Sequence, residues 1–132
     1  MKIACWNVRG MNSPKRQQDV RSIVQKNNIA LIGLVETKVR RENSSSIMQN
    51  LMEGWQMLQN YQYHSGGRIW VLWNPKVLVI SPLLVTDQIL HVSATIIEKQ
   101  VHFHVSNVYG HNTTGERLPL WNDIRSLSGT VP

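Results

Sequence analysis

The stretch IALIGLV, residues 29–35, is a continuous apolar run in the first third of the chain. Its length and its β-branched residues favour a β-strand that is buried on both faces. Ahead of it, Ser13 and Pro14 predict a helix over residues 14–28, with the serine as N-cap and the proline in the first turn. Residues 2–8 form an earlier apolar and aromatic run that predicts a strand. Strand, helix and strand in this order predict two parallel strands joined by a right-handed crossover.

The rest of the chain has the pattern of short strands with two more helices. Val20, Ile23 and Val24 follow helical spacing and should form the buried face of the first helix. Trp70 and Trp73 fall on opposite faces of one predicted strand, where packing in the core is the expected role. We predict further helices over residues 42–52 and 114–127, strands over residues 55–61, 68–73, 77–80 and 83–85, and an antiparallel hairpin over residues 90–106.

The composition indicates a single globular domain. The 132 residues are 42% apolar and 17% charged, and a chain of this length can bury a modest core. The single cysteine, Cys5, excludes an internal disulfide framework, and its place within a predicted strand favours a buried, inert thiol. No apolar run is long enough to span a membrane, and the N-terminus has no signal-peptide pattern. We therefore expect an intracellular protein, nuclear or cytoplasmic, that is not secreted and has no membrane partner.

The charge balance is basic. Lys and Arg number 14 against eight Asp and Glu, which gives a net charge of +6 and a pI near 9.9. This balance suits a polyanionic partner, with nucleic acid ahead of an anionic membrane surface. The charges are scattered except in residues 14–21 and 38–41, so a solvated basic surface is the alternative interpretation.

Three polar side chains stand where predicted strands end. Asn7 closes the first strand, Glu36 closes the next, and Tyr109 closes a third. Ligands of open α/β sheets bind beyond the carboxyl ends of strands, so we expect these three side chains to face one site. A carboxylate is a hard ligand suited to Mg²⁺, an amide orients a phosphate without adding charge, and a phenol donates to a phosphate oxygen. Together they describe part of a metal-assisted phosphoester hydrolase.

The ordered motifs CWNVRG (5–10), LVETK (34–38) and NVYG (107–110) resemble those of the endonuclease/exonuclease/phosphatase superfamily. This superfamily includes apurinic/apyrimidinic endonucleases. The flanking MNSP (11–14) and GER (115–117), which leads to Leu120-Trp121, are most similar to the endonuclease domain of plant LINE-type (non-LTR) retrotransposons. The resemblance implies a DNase I-like four-layer α/β sandwich, with sheets flanked by helices and the site at one end. It also implies an endonuclease-type phosphodiester hydrolase that acts on DNA.

The resemblance further implies roles for individual residues. Glu36 corresponds to the principal carboxylate for Mg²⁺, with Mn²⁺ as an alternative ion, and Asn7 to a ligand of the phosphate or metal shell. Tyr109 corresponds to a phosphate contact that stabilises the transition state. Asn112 matches an asparagine that touches substrate in related nucleases, and we place Arg9 with it as a substrate contact.

Two motifs of this superfamily, Gly-Asp-Phe-Asn and Ser-Asp-His, do not occur in the sequence. We therefore expect residues 1–132 to be the N-terminal part of one domain, an incomplete sandwich that is inactive alone. Activation of water and stabilisation of charge are each worth about a hundredfold or more in rate, so a half-site should hydrolyse little. We also expect the chain to supply chiefly one of the two sheets, which would leave an apolar face open to self-association.

Two alternatives stay open on the sequence alone. The first is a phosphatase of the same superfamily that acts on a lipid or inositol phosphate. The second is a non-catalytic fragment that binds nucleic acid through scattered cations, namely Arg9, Lys15, Arg16, Lys38 and Arg40.

Overall fold

The structure, a computed structural model, describes residues 1–66 and 68–132. The elements follow in the order β1 (Lys2–Asn7), α1 (Pro14–Lys26), β2 (Ile29–Val35), α2 (Arg41–Leu51), β3 (Gln56–Gln59), β4 (Ile69–Trp73), β5 (Leu78–Val85), β6 (Ile89–Ile96), β7 (Val101–Val108) and α3 (Leu118–Ser128). The strands form two sheets, sheet A in the order β1-β2-β4-β3 and sheet B in the order β5-β6-β7. No helix within these ranges has the length and apolar character needed to cross a membrane.

The predicted strand–helix–strand unit is confirmed. β1 and β2 are parallel, and the side chain of Ser13 accepts a hydrogen bond from the Arg16 N–H as the N-cap of α1. β2 is buried along its whole length because β1 and β4 flank it and both of its faces are covered. The predicted buried face of α1 is too wide: Ile23 is 37% exposed, because it lies over β1 at the edge of the sheet, beside Trp6.

Sheet A packs on both faces, and each face has its own apolar cluster. On one face Val20, Val24, Met48 and Leu51 of the helices pack with Trp70. On the other face a second cluster joins the two sheets through Leu31, Val35, Trp73, Leu90 and Val92. The two tryptophans of β4 thus lie on opposite faces, as their spacing predicts.

The expectation that this chain supplies chiefly one sheet is wrong. Residues 78–108 build a three-stranded second sheet, and its apolar side chains cover the inner face of sheet A. The uncovered face that motivated self-association is therefore not found in the described part of the chain, and self-association stays an untested prediction. The α/β class and the two-sheet architecture are confirmed.

Three local predictions are corrected. Residues 78–85 form one strand, not two. A proline has no N–H to donate to a neighbouring strand, but β5 lies at the edge of its sheet, and the register shift between Pro82 and Leu84 accommodates the proline. Cys5 is exposed, because β1 is an edge strand, although partial burial still raises the pKa of its thiol. The last helix begins at Leu118, after a turn in which Arg117 donates to the carbonyl oxygens of residues 111 and 112.

Gly33 sits where β2 of sheet A lies close to the Asn107 side chain of β7 in sheet B. A Cβ atom at this position would lie 2.0 Å from Oδ1 of Asn107, a β7 side chain that is 1% exposed. The amide of Asn107 cannot move away freely, because its Nδ2 donates to the Leu90 carbonyl at 3.2 Å. The glycine in the middle of β2 is therefore needed for contact between the sheets.

We expect Gly33→Ala to lower the free energy of unfolding by about 1–3 kcal/mol, measured by urea denaturation, because the added methyl overpacks this contact. In an Asn107→Ala background, Gly33→Ala should lower the free energy of unfolding by clearly less, since the clashing amide is gone. Gly115→Ala, where no atom lies within 4 Å of the added carbon, is the control. Equal costs in both backgrounds would contradict this account.

Candidate active site

Asn7 and Glu36 lie at one edge of sheet A, where β1 and β2 end side by side. Asn7 pairs with Val35, and Glu36 follows directly. The backbone of Glu36 is fixed on two sides: its N–H donates to the Arg68 carbonyl at 2.7 Å, and its carbonyl accepts from Gly10 at 2.8 Å. The loop after β1 and the start of β4 therefore hold the glutamate between them.

The backbone at this edge is strained. Arg9, Glu36 and Lys38 adopt left-handed conformations with φ of 50°, 57° and 56°, and Gly10 has φ of 100°. A non-glycine residue in this region costs about 1 kcal/mol or more, and such strain is concentrated at functional sites. Three such residues on two adjacent strand ends mark this edge as a candidate site.

A cleft of about 370 Å³ opens beside Glu36. The Glu36 side chain is 26% exposed, and its Oε1 lies 4.0 Å from Nζ of the more exposed Lys38. Burial and the nearby Arg68 guanidinium lower the pKa of His64, so this ring favours the neutral form. The cleft thus combines one carboxylate with several cations and two rings. These side chains are Glu36, Lys38, Arg40, His64, Arg68 and Tyr109.

The chain places the predicted site residues unequally. Glu36 and Tyr109 line the same cleft, and the Arg68 guanidinium carbon stands 5.2 Å from the centre of the Tyr109 ring. Asn7 is adjacent in the sheet but does not line the cleft, and its Oδ1 accepts the Arg9 N–H at 3.2 Å.

Arg9 and Asn112 are exposed and also lie outside the cleft lining. Asn112 instead supplies a carbonyl oxygen to Arg117 at 3.3 Å. Two of the five predicted site residues are therefore brought together in one cleft, a third lies on the neighbouring strand, and Arg9 and Asn112 face solvent outside the cleft.

Arg68 and His64 line the cleft but were not among the predicted site residues. Arg68 directly precedes β4, and β4 runs antiparallel to β2 with Ile69 opposite Val35. This pairing sets Arg68 beside Glu36. A cation just before a buried strand is the one local signal, and it does not reveal which strand lies next to it.

A second cleft, of about 430 Å³, lies far from these strand ends and is lined by Arg21, Asn50 and neighbouring residues. There Arg21 donates to the carbonyls of Asn50 and Leu51 at the end of α2. Arg21 thus acts as a cap for carbonyls that the helix leaves unpaired, so this cleft has a structural explanation.

The donors at the site suit magnesium better than zinc. Within residues 1–66 and 68–132, no group of three or more His, Cys, Asp or Glu side chains is arranged to hold a metal ion. Structural and catalytic zinc sites need three or four such ligands. Mg²⁺ instead binds through one or two carboxylates, waters and substrate phosphates, and the Glu36 carboxylate with the nearby Asn7 amide fits that donor set.

Comparison with known proteins identifies the fold. No protein-family model matches the sequence, and no curated protein matches it either. The structure is similar to the endonuclease domain of TRAS1, a telomere-specific non-LTR retrotransposon, with a TM-score of 0.68 and 11% identity over 96% of this chain and 51% of that one.

Two further solved structures have the same fold. An endonuclease/exonuclease/phosphatase family protein from Bacteroides thetaiotaomicron matches with a TM-score of 0.68 and 11% identity, over 96% of this chain and 58% of that one. The catalytic domain of human Nocturnin, solved with a bound sulfate anion, matches with a TM-score of 0.57 and 9% identity, over 94% of this chain and 58% of that one. The chain thus spans between about half and three fifths of each of these structures, and it shares their fold, a DNase I-like α/β sandwich.

Proposed function

We propose that this chain contributes Glu36, Asn7 and Tyr109 to a magnesium-dependent phosphodiester hydrolase site of the endonuclease type, with DNA as substrate. The observation that carries the proposal is the cleft at the strand ends, where the Glu36 carboxylate and the Tyr109 ring face the same space. The fold supports it, because the similar structures include an endonuclease domain and an endonuclease/exonuclease/phosphatase family protein.

Each residue has a chemical task that its surroundings allow. Glu36 would hold the cation, since it is the one carboxylate among the described residues that line the cleft and its side chain is partly exposed. A bound Mg²⁺ would polarise a phosphate oxygen and neutralise charge in the transition state. Asn7, on the neighbouring strand, would orient the phosphate. The Tyr109 hydroxyl would donate a hydrogen bond to a phosphate oxygen.

The charges near Glu36 favour a polyanion over a neutral substrate. Among the described residues of the cleft, Lys38, Arg40 and Arg68 stand against the Glu36 carboxylate alone. The chain as a whole carries a net charge of +6. Such a surface steers and holds a phosphate backbone, with an affinity that falls steeply with salt.

A nicking assay on supercoiled plasmid DNA tests this function. We expect at most slow nicking in Mg²⁺ and none in EDTA, because the sequence lacks the two motifs that supply the aspartate and histidine of the superfamily. In parallel, Mn²⁺ should broaden the NMR signals of amides around Glu36 and Gly10, which lie next to the proposed ion. Nicking that survives EDTA, or the absence of both nicking and broadening, would contradict the proposal.

The same assay separates the non-catalytic alternative. DNA binding with a steep salt dependence, together with no nicking in either metal, would favour a basic nucleic-acid-binding function over hydrolysis.

A further inference from the structure

We propose that Arg68 binds the anionic group of the substrate in the cleft, and that Asp87 and His111 are positioning residues that hold its guanidinium there. The inference rests on the proposed function only for the identity of the anion as a phosphodiester. The arrangement of Asp87, His111 and Arg68 stands on contacts that the hydrolase proposal does not use.

Arg68 is aimed into the cleft from a fixed backbone. Its carbonyl oxygen accepts the Glu36 N–H at 2.7 Å, which ties the arginine to the edge of sheet A. Its guanidinium stands over the Tyr109 ring at 5.2 Å, and its Nη1 lies 3.3 Å from Nδ1 of His111. A cation held against an aromatic face keeps its other N–H groups available for a ligand.

The chemistry of Arg68 determines the tautomer of His111. A guanidinium donates hydrogen bonds and cannot accept them, so Nδ1 of His111 must be the acceptor. The ring proton then sits on Nε2, which donates to Oδ2 of Asp87 at 2.6 Å. The hydrogen bonds therefore run in one direction, from the Arg68 guanidinium to His111 and from His111 to the Asp87 carboxylate. Each bond orients the side chain that makes the next one.

The charged groups around the His111 ring fit this assignment. Asp87 and Arg68 face its two nitrogens directly. The carboxylate of Glu116 lies farther away, with Oε2 at 4.0 Å from Nδ1, and its other oxygen accepts from Thr113 at 2.6 Å. Arg68 is therefore the nearer partner of Nδ1.

The backbone of His111 is fixed as well. Its N–H donates to Oε1 of Gln88 at 2.8 Å, and its carbonyl accepts from Arg117 at 3.0 Å. These contacts fix the backbone from which the ring extends, and the bond from Nε2 to Asp87 orients the ring toward Arg68.

Asp87 is held against sheet A by a buried amide. The Asn60 side chain is fully buried and donates to the carbonyls of Thr86 and Asp87, at 3.2 and 3.3 Å. Its Oδ1 accepts the Ile69 N–H, one residue after Arg68, at 3.1 Å. The same side chain therefore fixes the turn that supplies the carboxylate and the strand that supplies the guanidinium.

The charge of Arg68 has no carboxylate partner among the salt bridges of residues 1–66 and 68–132. Asp87 is engaged by His111, and Glu36 lies 4.0 Å from Lys38. A guanidinium that is oriented but not neutralised matches the two oxygens of a phosphodiester in a bidentate geometry. This combination indicates an anion-binding role over a purely structural one.

Binding of the dinucleotide thymidylyl-thymidine to the 132-residue chain in EDTA, followed by NMR titration, tests the inference. Arg68→Gln should weaken binding about tenfold or more, because a charge-assisted bidentate contact is lost. Arg68→Lys should restore it only in part, since the charge returns without the fork. Arg125→Gln, at an exposed position in α3, is the charge-matched control and should leave binding unchanged.

The positioning role has its own readouts. His111→Leu should weaken binding, and His111→Asn should largely rescue it, because an amide oxygen near the position of Nδ1 can accept from Arg68. NMR of the histidine ring nitrogens in the unaltered chain should show the proton on Nε2. A proton on Nδ1, or equal binding by the Arg68→Gln and Arg125→Gln variants, would overturn the inference.

The two proposals fail separately. Binding that depends on Arg68, accompanied by neither Mg²⁺-dependent nicking nor Mn²⁺ broadening around Glu36, would refute the hydrolase function and leave the anion site intact. Nicking in Mg²⁺ with binding that ignores Arg68 would refute this inference alone.

Discussion

Replacing Trp70 with alanine is expected to lower the free energy of unfolding by about 3–5 kcal/mol, the largest loss of stability that we predict. Trp70 is fully buried in β4 and packs among the side chains that join sheet A to its helices. Its Nε1–H donates to the Tyr61 hydroxyl at 3.1 Å, and that hydroxyl donates to the Val39 carbonyl at 2.7 Å. The substitution therefore leaves a cavity and removes one bond of a buried polar chain.

Far-UV circular dichroism during urea denaturation measures this effect without depending on tryptophan fluorescence. Because small domains are stable by about 5–15 kcal/mol, the variant should be partly unfolded before denaturant is added or should unfold at much lower urea. Trp70→Phe keeps most of the apolar contact, so its free energy of unfolding should lie between those of the unaltered chain and Trp70→Ala. Trp121→Ala, at a side chain that is 48% exposed, is the control. Similar losses for Trp70→Ala and Trp121→Ala would contradict the assignment of Trp70 to the core.

Replacing Glu36 with glutamine is expected to reduce Mg²⁺-dependent nicking by about a hundredfold or more. Glutamine has nearly the same shape, so the backbone contacts of residue 36 to Gly10 and Arg68 should persist. The negative charge is lost, and a neutral amide is a much weaker ligand for a hard divalent cation. The broadening by Mn²⁺ around this strand end should disappear in parallel. Glu98→Gln, an exposed carboxylate in the turn between β6 and β7, is the matched control.

A second substitution separates loss of function from loss of structure. Glu36→Gly also removes the carboxylate, but glycine adopts the left-handed φ of 57° without the steric cost that glutamate bears. We expect stability equal to or up to about 1 kcal/mol above that of the unaltered chain, with nicking lost. Full nicking by either variant would show that the cation is held elsewhere.

The sequence predicted the first unit of the fold closely because its signals are local. Ser13 and Pro14 specify a helix start through bonds within one turn, and the run of residues 29–35 specifies a buried strand through its composition alone. The alternation in residues 90–106 likewise predicted the hairpin that is observed as β6 and β7. Ile23 and Cys5, the two residues of this unit that were wrongly predicted to be buried, both lie at the β1 edge of sheet A. Their exposure depends on whether another strand lies beyond β1.

The candidate site was predictable only in part. Glu36 and Tyr109 follow strands whose ends are visible in the sequence, and they do line one cleft. Arg68, Asp87 and His111 carry no local motif. His111 is 43 residues from Arg68 and 24 from Asp87, and their contacts exist only because two sheets bring a strand start, a turn and a loop together.

By itself the sequence determined the N-cap of α1, the buried central strand and the polar residues at strand ends, because these depend on neighbours within a few positions. The tertiary structure decided that β4 lies beside β2, that Asn107 packs on Gly33, and that Arg68 and Glu36 line one cleft. Side-chain alternation shows which face of a strand is apolar but not which strand will cover it. That choice is made by the packing of the whole domain, in which distant segments must fit together at close-packed density.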